Sequence, residues 1–429
     1  MSEVKNIPRL RFPEFEEQWS EWLFSDFYDF QTTNSFSRDK LNYEEGDIYN
    51  LHYGDIHTKF RSQFILKSEL VPFINSDVDT TKLKENNYLK EGDLVIADAS
   101  EDYGDIGKTI EIIDTNNQKV VAGLHTLHAK SKNKFHIGFG SFLMKCPSSR
   151  KSFKMIAQGT KVLGISSSRV NQIGLTIPSL PEQQKIADFL TAVDKRIELL
   201  EKKKILLETY KIGVMKKIFN QEIQFKDDNG NDFPDWEEFV LNDLGKTLNG
   251  LTGKTKDDFD KGSCKYIQYK QVFGDSKIDP NGFGLVDVSA NEKQTEIKYG
   301  DILFTTSSET PYEIGMSSVY MSKMENVYLN SFCFGFRPKS LNDLIPNFSR
   351  FLFRSDKVRS SIVKLAQGST RYNMSKTNFL KIKVRIPSNK EQVKISEFLS
   401  SIDQQLELLG IQIDKSKTWK KGLLQKMFV

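Results

Sequence analysis

Few residues of this chain have the types and spacing that bond-making chemistry needs. Gly107-Lys108-Thr109 and Gly253-Lys254-Thr255 look like the end of a phosphate-binding loop. The earlier glycine such a loop requires falls on Asp102 and Leu248, so both fail. Gly138-Phe139-Gly140 and Gly282-Phe283-Gly284 begin a dinucleotide loop, but its third glycine falls on Leu143 and Asp287. His125 and His128 stand without the cysteines or carboxylates of a zinc site, and a packed or surface role suits them better. No Ser-His-Asp or Cys-His arrangement is evident among the five histidines. What remains are side chains suited to hydrogen bonding and charge pairing with a large polar partner.

Those side chains fall into two matched sets. In the first half, His52, Tyr53, Lys59 and Arg61 cluster with aromatic interleaving, Asp98, Ser100 and Glu101 follow an apolar run, and Lys161 sits beside Gln158-Gly159. In the second half, Tyr269 and Lys270 occupy the matching place, Thr306, Ser308 and Glu309 follow the matching run, and Arg371 sits beside Gln367-Gly368. A glycine at such a turn would let backbone approach an anion closely. Each of these residues could equally be an ordinary solvated loop residue.

The elements that position these sets are duplicated too. Ile186, Leu190, Val193, Ile197, Leu200, Lys204, Leu207, Lys211, Val214 and Ile218 fall at alternating steps of four and three. Ile395, Leu399, Ile402, Leu406, Leu409, Ile413, Ser416, Lys420, Leu423 and Met427 repeat those steps 209 positions later. This seam predicts a coiled-coil helix from Glu182-Gln183 to Phe219 and another from Glu391-Gln392 to Phe428. Pro178, Pro181 and Pro387 lie just before the runs, where proline ends a strand. The helices either pack on each other or lie separately on their own domains; their shared length and phase favour packing. A parallel pair would force residues 220–390 to return over roughly 55 Å, about 37 residues at about 1.5 Å each. An antiparallel pair needs only that the second module's ends lie together, as domain termini commonly do. Lys204 and Lys211 in the seam could set register, snorkel outward, or meet acidic groups of a partner.

The fold expected is α+β: two related globular domains separated by a long antiparallel two-helix coiled coil, a pseudo-twofold dumbbell. The domains are residues 1–176 and 221–385, with helical regions at 177–220 and 386–429. Trp19 and Asp26 align with Trp236 and Asp243, Tyr49 with Tyr266, and Gly92-Asp93-Leu94-Val95-Ile96 with Gly300-Asp301-Ile302-Leu303-Phe304. The framework agrees while residues 50–90 and 267–298 diverge, as binders of different targets would, although drift after duplication gives the same picture.

Composition sets the bounds. A chain of 429 residues accommodates two domains with ordinary cores plus the helices. Hydrophobic content is 38 % and no apolar run reaches membrane-spanning length. The start Met1-Ser2-Glu3-Val4-Lys5 lacks a signal core, and Cys146, Cys264 and Cys333 are scattered, so a reducing cytoplasm is expected. A net charge of +4 permits a polyanion partner without demanding one.

The order of these features, twice over, resembles the specificity subunit of a type I DNA restriction–modification enzyme. The residues that carry the likeness are Leu10-Arg11-Phe12…Trp19 with Phe233-Pro234-Asp235-Trp236, the Gly-Asp turns at 92–93 and 300–301, the Gln-Gly turns with an Ile-Pro strand end about twenty residues later, and the Glu-Gln pairs opening each helix. The resemblance covers essentially the whole chain. It implies two target recognition domains, each reading half of a split, asymmetric sequence in double-stranded DNA. It implies helices that act as a ruler and dock two methyltransferase subunits, joined by restriction subunits, with no membrane role. It implies no cofactor on this chain: S-adenosylmethionine, ATP and Mg belong to the partners. No Asn-Pro-Pro-Tyr type tetrapeptide of an adenine methyltransferase occurs here. Two spaced modules suit DNA, whose groove positions repeat every ~10 bp or ~34 Å; polar groups read base edges while lysine and arginine hold phosphates. The other readings are a self-contained methyltransferase or nuclease, and a scaffold that bridges two proteins without reading DNA.

Overall fold

The computed structural model describes residues 6–289 and 291–429. The chain divides into two compact units that do not follow chain order. One comprises residues up to Glu201 together with Ile411–Val429, the other Lys202–Gly410. Each unit therefore takes one globular module and a part of both long helices.

In the first unit a five-stranded sheet runs Tyr28–Gln31, Thr126–Ser131, Leu94–Ala97, Thr109–Asp114, Gln63–Ile65. Leu94–Ala97 is buried on both faces, which is why it reads as an unbroken apolar run rather than an alternating one. The second unit has a four-stranded sheet in the order Gly245–Asn249, Cys333–Pro338, Ile302–Thr305, Ser317–Val319, with Ile302–Thr305 likewise buried throughout. The aligned residues take equivalent places. Tyr49 lies opposite Val120 in a parallel ladder, and Tyr266 opposite Tyr328 in another. Gly92 and Gly300 adopt φ of 85° and 89°, a turn that favours glycine. Asp93 and Asp301 then each accept a backbone N–H from three residues back. Asp93 also holds the fully buried His128 at 2.9 Å, and Asp301 holds Arg337 at 2.6 Å.

Each module is closed by its own ends. Ser20–Leu23 pairs antiparallel with Gly174–Ile177, and Glu237–Val240 with Lys383–Ile386. The adjacent termini that the antiparallel arrangement required are present.

The long helices span Leu180–Phe219 and Asn389–Lys426. Two boundary details differ from expectation. Pro181 lies inside the first turn, where the missing N–H costs nothing. The second helix stops at Lys426, and Met427 and Phe428 turn into the core of the first unit. Every expected seam position is buried or half-buried. In the first unit Asp194 meets Lys420 and Glu201 meets Lys417; in the second, Lys211 meets Asp403 and Phe225 meets Phe398. Within each unit the helices therefore run in opposite senses.

The seam lysines are resolved by these contacts. Lys211 does not project into solvent: its ammonium lies 2.5 Å from Asp403 and over the Phe351 ring. Lys420 repeats this on Asp194, also at 2.5 Å, and over Phe142. Lys204 turns along its own helix to Glu208, 4.0 Å away. The Glu-Gln openings also gain a reason. Gln183 accepts the His136 N–H and donates to the Pro178 carbonyl; Gln392 does the same with Ile345 and Pro387. Each glutamine latches its helix start to its module. No helix among the described residues is long and apolar enough to cross a membrane.

Candidate nucleic-acid interface

In the first unit the short helix Tyr53–Thr58 is capped by His52, whose Nδ1 accepts the Gly54 N–H at 3.2 Å. His52 is thereby buried, and burial first, then Arg38, lowers its pKa. Tyr53 stands among three imidazoles: His52 at 4.7 Å, His125 at 5.2 Å and His57 at 6.1 Å between ring centroids. His57 Nε2 donates to the Ala99 carbonyl at 2.9 Å, joining this helix to the end of the buried strand. Asp98 sits 3.4 Å from His125 Nδ1. Burial pushes its carboxyl above the usual range and His125 pulls it partly back.

Ser100 lies in Ala99–Ser100, which pairs with Leu163–Gly164 and so brings the Gln158–Gly164 turn alongside. The Ser100 hydroxyl is buried and donates to the Asp102 carbonyl, while Glu101 and Lys161 are exposed. Two candidates are tied elsewhere. Lys59 pairs with Asp55 at 2.9 Å and the Tyr43 hydroxyl at 3.1 Å. Burial would raise Asp55, but Arg38 and Lys59 outweigh it and hold the carboxylate ionised. Arg61 reaches Glu198 on the long helix at 2.8 Å.

The second unit repeats the plan with other side chains. Tyr269 begins the helix Tyr269–Gly274 and donates its hydroxyl to the Ser307 carbonyl at 2.8 Å, beside exposed Lys270. Thr306 donates its N–H to Phe332 and accepts from Met374. Ser308 pairs with Tyr372 across the Gln367–Asn373 turn, its hydroxyl facing Glu313, and Glu309 is exposed. Arg371 lies over the Phe332 ring at 5.7 Å, and that ring is 55 % exposed. Each unit thus gathers a helix start, a strand end and a Gln-Gly turn.

The glycines of those turns are needed for a reason other than close approach of an anion. Gly159 and Gly368 have φ of 118° and 128°, and a Cβ there would stand 2.1 Å from the Val162 oxygen and 2.2 Å from that of Arg371. The turn's own carbonyl excludes a side chain.

Several contributors were missed from sequence. His57, His125 and Phe332 complete the aromatic surroundings, and nothing in their local sequence marks them. Arg150 and Arg359 were detectable, because they stand 209 positions apart like the helices. Arg150 donates to the carbonyls of Gly104, Ile106 and Gly107, Arg359 to those of Tyr312 and Gly315. Each pins the loop that follows the candidate strand end.

Comparison with known proteins agrees with this duplicated plan. The family model for the type I restriction modification DNA specificity domain matches twice, over residues 17–209 and 234–415. Two relatives come from Methanocaldococcus jannaschii. The inferred specificity subunit of its MjaX type I restriction enzyme is 24 % identical over 374 residues, covering 82 % of this chain and 83 % of that one. The MjaVIII specificity subunit is 25 % identical over 299 residues, covering 64 % and 66 %. The fold is similar to that of the type I restriction–modification S subunit from M. genitalium, with a TM-score of 0.55 at 14 % identity over 99 % of both chains. A chain from a structure of type I R-M complex assembly and conformational transition gives a TM-score of 0.57 at 14 % identity, covering 96 % and 97 %. With its family domain present twice and nearly the whole length matched, this chain belongs to the type I restriction–modification DNA specificity family.

Proposed function

We propose that the chain reads a bipartite, asymmetric DNA sequence, one half per unit, and does no chemistry itself. The carrying observation is that one constellation occurs twice on the same framework with different side chains. Tyr53, Asp98, Glu101 and Lys161 face one half-site; Tyr269, Lys270, Thr306, Glu309 and Arg371 face the other. His52, Ser100, Ser308, Lys59 and Arg61 act mainly by holding these loops, since their polar groups are engaged within the chain.

The long helices serve as docking surfaces for two methyltransferase subunits, with restriction subunits joining that core. Large apolar residues outside the seam support this: Leu199, Ile205, Leu206 and Ile212 are 57–68 % exposed. S-adenosylmethionine, ATP and Mg belong to those partners, and the complex works on cytoplasmic DNA. Methylation-aware sequencing of the source genome with and without this gene tests the reading. Loss of one two-part adenine-methylation motif is expected, and an unchanged methylome overturns it.

A further inference from the structure

A cleft of about 290 Å³ in the second unit lies where the first long helix meets the module. Lys211, Lys216, Arg350, Arg354 and Arg359 line it, against Asp356 as the one carboxylate among the described lining residues. Asp403 offsets Lys211 and Arg350 from behind. Arg354 and Arg359 are fixed on neutral carbonyls, of Ser317 and Asp275 for the first and of Tyr312 and Gly315 for the second. Carbonyls satisfy their hydrogen bonds but not their charge. Burial outweighs the opposing pull of the Asp275 carboxylate and, with Arg359 and Arg350 close by, pushes Arg354 down to about 10. Ser276 and Ser355 add two hydroxyls, and the rest of the wall is apolar: Met215, Met316, Phe351 and Ile212, which is 68 % exposed.

We propose that this cleft receives a carboxylate side chain from a partner polypeptide, flanked by an apolar residue that packs on Ile212. Two features favour a protein over DNA. Phosphodiester binding has no use for the apolar walls, whereas a peptide segment carrying an acidic and an apolar side chain uses both. The cleft is also set back from the candidate reading residues. It lies at the start of Asp356–Val363, a helix whose far end leads to the Gln367–Asn373 turn, and eight residues span ~12 Å. Likewise Tyr269 opens its helix at the reading residues, while Ser276, beyond the other end, lines the cleft.

The first unit repeats the core of this arrangement. Lys420 takes the place of Lys211 on Asp194, Arg150 that of Arg359, and Lys145 that of Arg354. The match stops at these three cations, because Lys216, Arg350 and Ile212 correspond to Gln425, Ser141 and Lys421, so the complete cleft belongs to the second unit. The inference rests on the scaffolding part of the proposed function and gives that docking its chemistry.

The test mixes the full chain with the methyltransferase subunit of the same system and reads assembly by sedimentation. Lys216→Glu and Ile212→Ser, both at exposed positions, are expected to weaken assembly about tenfold or more while leaving the unfolding midpoint unchanged. A photo-crosslinking residue at 212 is expected to capture a segment bearing Asp or Glu. Reversing that carboxylate to lysine then restores binding to Lys216→Glu. Wild-type assembly matched by both variants, or crosslinking to DNA instead, overturns the cleft proposal alone. Failure of the wild-type chain to assemble at all overturns the scaffolding reading and the cleft with it.

Discussion

Phe428 sets its ring edge-on against Trp19, with centroids 6.2 Å apart and planes at 86°. The same Phe428 packs on Phe139 at 5.8 Å. In the second unit Phe219 contacts Trp236 at 6.0 Å and Phe348 at 5.9 Å. The phenylalanine at the end of the first long helix and the one just past the end of the second are thus each a plug in the core of the module that the other helix follows in sequence. Phe428→Ala is expected to cost the first unit about 3–5 kcal/mol, the range for a buried phenylalanine. Denaturant unfolding should show this loss, together with weaker recognition of the first half-site and little change at the second.

Glu111 makes the first unit sensitive to pH. Its carboxylate accepts N–H bonds from Gly138 and Ser141 at 2.7 and 2.6 Å, yet burial dominates and raises its pKa from 4.5 to about 7. In the unfolded chain the group ionises near its ordinary value. Its contribution to stability is therefore complete below pH ~4.5 and is lost as pH rises through about 7. A stability decrease of a few kcal/mol over that window is expected, and Glu111→Gln should remove the slope. Unfolding free energies at a series of pH values decide the matter.

Gly159→Ala and Gly368→Ala force a Cβ onto a carbonyl that cannot retreat without opening the turn. Each is expected to cost about 1–3 kcal/mol and to disorder one turn. Protection of DNA by the assembled complex should weaken at one half-site for each variant. Equal loss at both half-sites would refute the assignment of one turn per half.

The paired lysines offer a charge-swap test. Asp403→Asn leaves Lys211 and Arg350, both mostly buried, without their carboxylate, and is expected to cost about 1–3 kcal/mol. Asp194→Asn should do the same for Lys420 in the first unit. A double-mutant cycle between positions 211 and 403 should return a coupling well above the 0–1 kcal/mol of an exposed pair.

At the candidate reading sites, Lys161→Ala and Arg371→Ala should each reduce the salt slope of DNA binding by about one ion-pair equivalent. Titrations of the assembled complex at several salt concentrations measure this. Unchanged slopes would remove both residues from the interface.

Much of the architecture was written in local order along the chain. A heptad seam depends only on spacing, so Ile186 to Ile218 and Ile395 to Met427 identified their buried face without reference to anything else. Duplication did the rest: features such as Gly92 and Gly300, or Gln183 and Gln392, gain meaning because they recur in the same order. The helix sense also followed, since chain connection leaves an antiparallel pair as the shorter route.

Partner choice was decided only in three dimensions. Lys211 looked like a misplaced seam charge until Asp403 and Phe351 came within reach of it. His52 and Arg61 read in sequence only as polar loop candidates, until the fold showed one capping a helix start and the other paired with Glu198. Gly159 looked like a phosphate turn until Val162 supplied the reason for its missing side chain. Spacing along a helix or strand tells which face a residue occupies, because that face is set by backbone geometry alone. Which group meets it there depends on distances between segments far apart in sequence, and those exist only once the cores have packed.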